Sequence, residues 1–184
     1  MANLHCLEDQ AIVVVVDLQP TFLAAIHEAD RVLARSRFLI QAANVLGVPI
    51  IATEQNATRM GSLHESLLDL IPTPIIDKMA FSCYGSPAFK GRLEASRRKH
   101  VVLVGIETHI CVTLTAIDLI ENGYTVFACP DAVSSRTVEM HKLGMERMRD
   151  SGVMPSHTES LVYEWMGSAD HPEFRQILGL VKNA

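Results

Sequence analysis

Short, uninterrupted apolar blocks alternate along the chain with longer stretches in which apolar and polar positions recur at a helical spacing. The first block, AIVVVVD at residues 11–17, is almost entirely β-branched. A strand covered by helices on both faces needs such continuous hydrophobicity, whereas a half-exposed strand alternates. Blocks of this kind predict strands at residues 11–17, 48–54, 73–78, 100–107 and 124–129, with a weaker strand at 153–157.

The stretches between these blocks predict helices. The first is expected after Thr21, from about residue 22 to Leu46, because Gly47 is a favourable helix stop. Further helices are expected at residues 87–99, 109–122, 137–151, 158–166 and 173–182, and residues 55–67 are expected to form a loop with a short helix. Strands that alternate with helices predict a three-layer α/β/α, Rossmann-like fold around a mainly parallel sheet.

Composition and charge narrow the class of protein. The chain has 184 residues, 48% of them hydrophobic, which suits a single domain over residues 1–184 and excludes a disordered chain. No apolar run approaches the ~20 residues needed to cross a bilayer, and the start of the chain shows no secretory signal. The net charge of −5 opposes nucleic-acid binding. We therefore expect a cytoplasmic protein with neither a membrane nor a nucleic-acid partner.

The four cysteines lack the spacing of a metal site or of a disulfide framework, which favours free thiols. Cys6 and Cys129 are expected to be structural. Cys83 follows Lys78 by five positions, so it is expected either to form part of a pocket wall or to act as a second, oxidisable thiol. Cys111 differs from these three because it comes just after the end of a predicted strand.

Polar residues stand where the predicted strands end, and the carboxyl ends of parallel strands form the ligand-binding edge of such a sheet. Asp17 ends the first strand, Lys78 ends the third, and Cys111 comes just after the fourth. Each is ordinary alone, since an Asp at a strand end is usually a cap and a buried Cys usually packs. Their convergence on one edge brings together a nucleophile, a proton shuttle and a cation.

These three residues suit acyl transfer through a thioester. Cys111 is expected in the first turn of a helix, where the helix dipole and Lys78 would favour its thiolate. Asp17 would take the thiol proton and return it to a leaving amine. The backbone N–H groups of Glu107 and Cys111 are expected to form the oxyanion hole.

Three segments resemble the signature segments of the isochorismatase-like cysteine hydrolases. They are VVVVDLQ at residues 13–19, DKMAFSCYGSPAF at 77–89 and GIETHICV at 105–112, and the resemblance extends to DAVSSR at 131–136 and HPEF at 171–174. It implies that Asp17, Lys78 and Cys111 form the catalytic triad. It also implies a cis peptide bond between Ile106 and Glu107, a sheet order of 3-2-1-4-5-6 and a homo-oligomer.

The chain departs from the metal-dependent nicotinamidase branch of that family. That branch binds its metal through an Asp-x-His element after the second strand, whereas TEQNATRMGSLHESL at residues 53–67 offers only His64. We therefore expect no metal and no other cofactor. Some isochorismate-cleaving members lack the cysteine, so Cys111 points to amide or acyl hydrolysis. TEQ and FSCYGSP most resemble the isochorismatase domain-containing branch.

The sequence thus predicts a metal-independent cysteine hydrolase acting on a small amide or related acyl compound. A non-catalytic binding or scaffold protein on the same fold is the alternative. Gln19 is expected to face the cleft or to hold an N-terminal turn, His109 to contact substrate or cap the helix, and Trp165 to pack or to contact another subunit. The candidates for the substrate pocket are Gln19, Phe22, Gln55, Phe81, Tyr84 and His109.

Overall fold

The computed structural model describes residues 5–183, so the domain ends predicted at residues 1 and 184 lie outside the described residues. The strands are β1 (Ala11–Val16), β2 (Ile50–Gln55), β3 (Ile76–Lys78), β4 (His100–Ile106), β5 (Thr125–Ser134) and β6 (Met154–Pro155). They form one sheet in the order β3-β2-β1-β4-β5-β6, and all neighbours are parallel. This confirms the predicted fold class and strand order.

Helices cover both faces of the sheet. The residues of β1 are all buried, and they alternate between two hydrophobic clusters: Val13 and Val15 pack with one set of helices, and Val14 and Val16 with the other. This explains the uninterrupted apolar run, because both faces of the strand lie in a core. The helices in the described residues are α1 (Pro20–Leu23), α2 (Ala29–Leu46), α3 (Ala57–Met60), α4 (Glu65–Leu68), α5 (Pro87–Ser96), α6 (Thr113–Glu121), α7 (Val138–Asp150), α8 (Thr158–Met166) and α9 (Phe174–Lys182).

The single helix predicted from about residue 22 to Leu46 is wrong, because the structure ends α1 at Leu23 and begins α2 at Ala29. Glu28, the residue before α2, has a positive φ of 52°. The connecting segment is tied to the end of β5: His27 donates its N–H to the Ser135 carbonyl at 2.9 Å, and the Ser134 hydroxyl donates to the His27 carbonyl at 2.7 Å. These tertiary hydrogen bonds outweigh the local helical pattern.

Strand β5 is longer than predicted and continues to Ser134. Pro130 interrupts the apolar pattern and has no N–H to donate, and the pairing with β4 shifts in register between Leu103 and Gly105. Pairing resumes beyond this irregularity, with Gly105 opposite Val133. The shift carries residues 131–136 to the carboxyl edge of the sheet, beside the end of β4.

The positions between β1 and β4 set the geometry of that edge. Val16 pairs with Gly105, so Asp17 and Ile106 follow side by side. Gly105 has a φ of 115°, and a Cβ there would stand 2.1 Å from the carbonyl oxygen of Val16. Only glycine permits this close approach.

Within residues 5–183, no helix is both long enough and apolar enough to cross a bilayer.

Candidate active site

A buried ion pair lies at the carboxyl edge of the sheet. The Lys78 ammonium group donates a hydrogen bond of 2.7 Å to Oδ2 of Asp17, and the side chains are 0% and 3% exposed. Asp17 adopts a positive φ of 52° immediately after β1. Lys78 ends β3, two strands away, and its long side chain spans β2 to reach the carboxylate.

Two side chains of β2 hold this ion pair, one at each end. The Thr53 hydroxyl donates to Oδ1 of Asp17 at 2.7 Å, and Oε1 of Gln55 accepts from Nζ of Lys78 at 2.6 Å. Residues two positions apart on a strand point to the same face of the sheet. Strand β2 therefore positions both Asp17 and Lys78 through two side chains on one face.

The remaining contacts of Lys78 complete its shell of acceptors. Its ammonium group also donates to the carbonyl oxygens of Ala80 and Phe81, each at 3.2 Å. Burial lowers the pKa of Lys78, but the interactions with Asp17, and then with Cys83 and Cys111, raise it by more, so the pKa lies above its ordinary value. The amine therefore stays protonated across the physiological range.

Cys111 lies beside Asp17 and not in an ordinary first helical turn. It belongs to a π-helical turn, Thr108–Val112, that precedes α6. Single π-turns of this kind are frequent at functional sites. Its side chain is buried, with 8% of the residue exposed, and it lines the same pocket as the Asp17 carboxylate.

The expectation of a resting thiolate at Cys111 is wrong. Burial first, and then the negative charge of Asp17, raise the pKa of the Cys111 thiol to about 12, although Lys78 lowers it. Burial costs the charged form its hydration, and a carboxylate neighbour repels a second negative charge. The Cys111 thiol is therefore neutral at physiological pH, and it lines the same pocket as the Asp17 carboxylate.

The peptide bond between Ile106 and Glu107 is cis, as the resemblance implied. The N–H of Glu107 makes no hydrogen bond to another residue within 5–183. The Glu107 side chain accepts from Nε of Arg136 at 3.0 Å. An unpaired N–H beside Cys111 suits the binding of a developing oxyanion.

The π-helical turn is supported from behind by α7. A Cβ on Gly144 would stand 2.9 Å from both Cα and N of His109 in that turn. Thr113, at the start of α6, donates its hydroxyl to the Thr108 carbonyl at 2.6 Å. The position of Cys111 therefore depends on close contact between α7 and the turn.

A small pocket of about 90 Å³ opens above the Cys111 thiol. Of the six pocket residues proposed from the sequence, Phe22, Gln55 and Phe81 lie in the wall and the other three do not. Its wall consists of Asp17, Phe22, Gln55, Phe81, Ile106, Glu107, Ile110 and Cys111.

Gln19, Tyr84 and His109 are not in the pocket wall, which corrects their assignment. Gln19 is fully buried and binds the backbone of Gln55, whose N–H donates to its Oε1 at 2.7 Å. Tyr84 packs edge-on against another tyrosine at 6.4 Å. Nδ1 of His109 is hydrogen-bonded to the Ser135 hydroxyl at 2.9 Å. These partners turn all three side chains to other contacts.

The other cysteines are buried, and all four thiols are free. Cys83 lies behind the ion pair, 3.6 Å from the Thr53 hydroxyl, and burial followed by Asp17 raises its pKa to about 11. Cys6 accepts a hydrogen bond of 3.4 Å from the indole N–H of Trp165, which is 4% exposed and packs in the core. Cys83 thus supports the site from outside the pocket wall.

Sequence reasoning missed Thr53, Ile106 and Ile110. Ile106 and Ile110 flank Glu107 and Cys111 and resemble ordinary core residues in the sequence. Thr53 lies two positions before Gln55 on the same strand, and residues with that spacing face the same side of the sheet. This spacing could have identified Thr53 from the sequence, because Gln55 was already a candidate. In the described part of the chain, no group of three or more His, Cys, Asp or Glu residues is arranged to hold a metal ion.

Comparison with known proteins identifies similar chains. The isochorismatase domain model matches residues 11–160. A secreted isochorismatase effector, Isc1, from Phytophthora sojae is 34% identical over 178 residues, which cover 94% of this chain and 84% of that protein.

Solved structures with the same fold cover nearly the whole chain. A structure described as the MAR1 ribonuclease of Caenorhabditis elegans is 32% identical with a TM-score of 0.91, and the match covers 97% of this chain and 92% of that one. The YcaC gene product of Escherichia coli, an octameric hydrolase of unknown specificity, is 21% identical with a TM-score of 0.87, covering 100% and 98% of the two chains. At that identity the second match shows the fold alone.

Proposed function

The chain belongs to the isochorismatase family, and we propose that it is a cysteine hydrolase that cleaves a small amide or related acyl compound through a thioester. The observation that carries this proposal is the arrangement of Cys111, Asp17 and Lys78. A thiol with a raised pKa and a carboxylate line the same pocket, and that carboxylate is held by a buried ammonium group.

The first step forms the acyl-enzyme. As Sγ of Cys111 attacks the substrate carbonyl carbon, its proton passes to the Asp17 carboxylate, which acts as a general base. The tetrahedral intermediate then collapses and the C–N bond breaks. The Asp17 proton goes to the leaving nitrogen, so an amine or ammonia departs and a thioester remains on Cys111.

Water completes the cycle. Asp17, ionised again, takes a proton from a water molecule that attacks the thioester carbonyl. The C–S bond breaks, the proton returns to the sulfur, and a carboxylic acid is released. The complete cycle, and not the first step alone, regenerates a neutral thiol beside a carboxylate.

Lys78 acts on this chemistry through its position and charge. Because its pKa is raised, it stays protonated while Asp17 gains and loses a proton. Its charge favours the negative charge that develops on sulfur and oxygen during attack. The backbone N–H groups of Glu107 and Cys111 are the proposed donors to the oxyanion, and the route requires no cofactor.

Loss of the thiol tests this function. Wild-type protein, Cys111→Ala and the control Cys6→Ala are incubated with a pool of small amides, and released acids are measured by mass spectrometry. We expect turnover in the wild type and the Cys6 variant and none in Cys111→Ala. Full activity in Cys111→Ala would refute the mechanism, and ligand binding without turnover in the wild type would indicate a binding or scaffold protein.

We also propose that the chain forms a homo-oligomer, which the octameric E. coli neighbour supports. Light scattering on the purified protein measures its molar mass directly. A mass of two or more chains is expected, and a monomer at micromolar concentration would contradict the proposal.

A further inference from the structure

The charged groups around the pocket are already paired with each other. Two acids line the wall, Asp17 and Glu107, and no Lys or Arg is among its residues. Asp17 is paired with Lys78 at 2.7 Å, and Glu107 with Arg136 at 3.0 Å. The pocket wall therefore contains no unpaired cation that could bind an anionic substrate.

Lys78 interacts electrostatically with the Cys111 thiol, but its ammonium group is not available to a ligand. An ammonium group has three N–H donors, and four acceptors surround this one: the side chains of Asp17 and Gln55 and two carbonyl oxygens. Its side chain is 0% exposed. A substrate anion would have to displace one of these acceptors to reach it.

Apolar side chains form the rest of the wall. Phe22, Phe81, Ile106 and Ile110 surround the opening above Cys111. The volume of about 90 Å³ is well below the roughly 300–1,000 Å³ of pockets that enclose drug-sized ligands. The part of the substrate next to the reacting carbonyl must therefore be small.

From these observations we propose that the pocket selects substrates whose acyl part is small, apolar and uncharged, and that it rejects carboxylates and phosphodiesters. This inference rests on the proposed function of the same site. An anion that enters the pocket loses its hydration and gains no unpaired cation, which is unfavourable in an apolar surrounding. A neutral amide carries no such penalty.

We therefore do not expect this pocket to bind the anionic substrates suggested by the names of similar proteins. Isochorismate is a dicarboxylate, and RNA is a polyanion. Either would place negative charge against a wall that already contains two carboxylates. A short-chain primary amide, in contrast, matches both the volume and the charge of the pocket.

A matched pair of alkylating reagents tests the charge preference without knowledge of the substrate. Iodoacetamide and iodoacetate have nearly the same size and differ in charge. The native protein is treated with each in about 0.15 M salt, where screening limits the effect of distant charges to ~8 Å. Peptide mapping gives the alkylation rate at Cys111, and each rate is divided by the rate for glutathione with the same reagent.

We expect the normalised rate at Cys111 to favour iodoacetamide at least about tenfold, because only iodoacetate must bury a charge. Phe81→Lys adds a cation at the pocket rim, where the wild-type side chain is 60% exposed, and it should reduce the preference. Tyr163→Lys makes the same change at an aromatic residue of α8 that is 39% exposed and outside the pocket, and it should leave the preference unchanged.

The outcomes distinguish the two proposals. Equal normalised rates for both reagents in the wild type would overturn the inference about charge while leaving Cys111 as the nucleophile. An equal effect of Phe81→Lys and Tyr163→Lys would overturn the assignment to the pocket. Full amide hydrolysis by Cys111→Ala would instead refute the proposed nucleophile, and the inference about its substrate would fall with it.

Discussion

Thr53 and Gln55 stand two positions apart on β2, and each holds one partner of the same buried ion pair. The Thr53 hydroxyl donates to Asp17 at 2.7 Å, and the Gln55 side-chain oxygen accepts from Lys78 at 2.6 Å. Neither residue supplies the proposed nucleophile or proton shuttle. Both act by fixing where the carboxylate and the ammonium group lie relative to Cys111.

Removal of the Thr53 hydroxyl is expected to slow catalysis more than it weakens substrate binding. In Thr53→Val, one oxygen of a buried carboxylate loses its donor, which costs about 1–3 kcal/mol and predicts a fall in kcat of about 10- to 100-fold with little change in KM. Thr53→Ser keeps the hydroxyl and should restore most of kcat. Steady-state kinetics with an amide that the wild type hydrolyses measures both constants.

A matched control lies at the other edge of the sheet. Thr125 begins β5, at the amino ends of the strands, and Thr125→Val should leave kcat and KM unchanged. A loss in Thr53→Ser as large as in Thr53→Val would show that packing, and not the hydrogen bond to Asp17, explains the effect.

The reactivity of Cys111 should not follow the titration of an ordinary thiol. Its pKa is raised from 9.0 to about 12, so the thiolate becomes the main form only above that pH. The rate of alkylation by iodoacetamide should therefore show no inflection between pH 7 and 10. The same cysteine in urea should show one near its usual pKa of ~8.5. An inflection below pH 8 in the native protein would indicate a depressed pKa and contradict the neutral thiol.

Acidification should destabilise the protein through His100. Burial lowers the pKa of His100 from its usual 6.5, with Asp9 raising it in part, and its Nδ1 accepts the Leu7 N–H at 3.1 Å. The folded state favours the neutral ring, so the unfolded state binds the proton first as the pH falls. The stability from this group is therefore present above about pH 6.5 and lost below it, with a slope of at most about 1.4 kcal/mol per pH unit.

Urea unfolding at pH 8 and pH 5.5 measures this contribution. In His100→Asn, an acceptor remains for the Leu7 N–H but no group titrates. The variant should be less stable than the wild type at pH 8, because it packs less well against Phe127, whose ring lies 5.9 Å away. It should lose less stability on acidification. Equal losses in the two proteins would exclude His100 as the group responsible.

A methyl group at Gly144 is expected to displace the π-helical turn that carries Cys111. The added Cβ would stand 2.9 Å from the backbone of His109, so α7 and the π-helical turn must separate. A shift of about 1 Å in a reacting group lowers rates by up to ~100-fold, and we expect a loss of this order in the alkylation rate of Cys111. Overpacking also costs about 1–3 kcal/mol of stability.

Gly91 provides the control for this substitution. It lies in α5, and a Cβ there meets no atom within 4 Å. Gly91→Ala should raise stability by about 0.5–1 kcal/mol, since alanine favours a helix interior, and leave Cys111 alkylation unchanged. Similar alkylation rates in Gly144→Ala and Gly91→Ala would show that the turn tolerates the displacement.

The sheet and its chemical edge follow from local features of the sequence. The unbroken apolar run of β1 predicts a strand buried on both faces, and parallel strands bring their carboxyl ends together. Asp17, Lys78 and Cys111 were therefore expected at one edge, and the structure places them there. Their identification as a triad came from the resemblance and remains a proposal for this chain.

The details that the sequence did not reveal depend on partners far away in the chain. Gln19 and Gln55 are 36 residues apart, and their hydrogen bond shows only in the folded structure. Glu28 breaks a helical pattern because the preceding residue binds the end of β5. The raised pKa of Cys111 depends on burial and on Asp17, whereas the expected thiolate was based on the helix dipole and on Lys78.

The central claim is that Cys111 forms a thioester with its substrate. Protein mixed with a small neutral amide is quenched in acid within the first turnovers, and its intact mass and peptides are measured. We expect an added mass equal to the acyl group, located on Cys111, sensitive to hydroxylamine and absent in Cys111→Ala. Turnover of the amide without any acyl adduct, or with the adduct on Cys83, would contradict a thioester at Cys111.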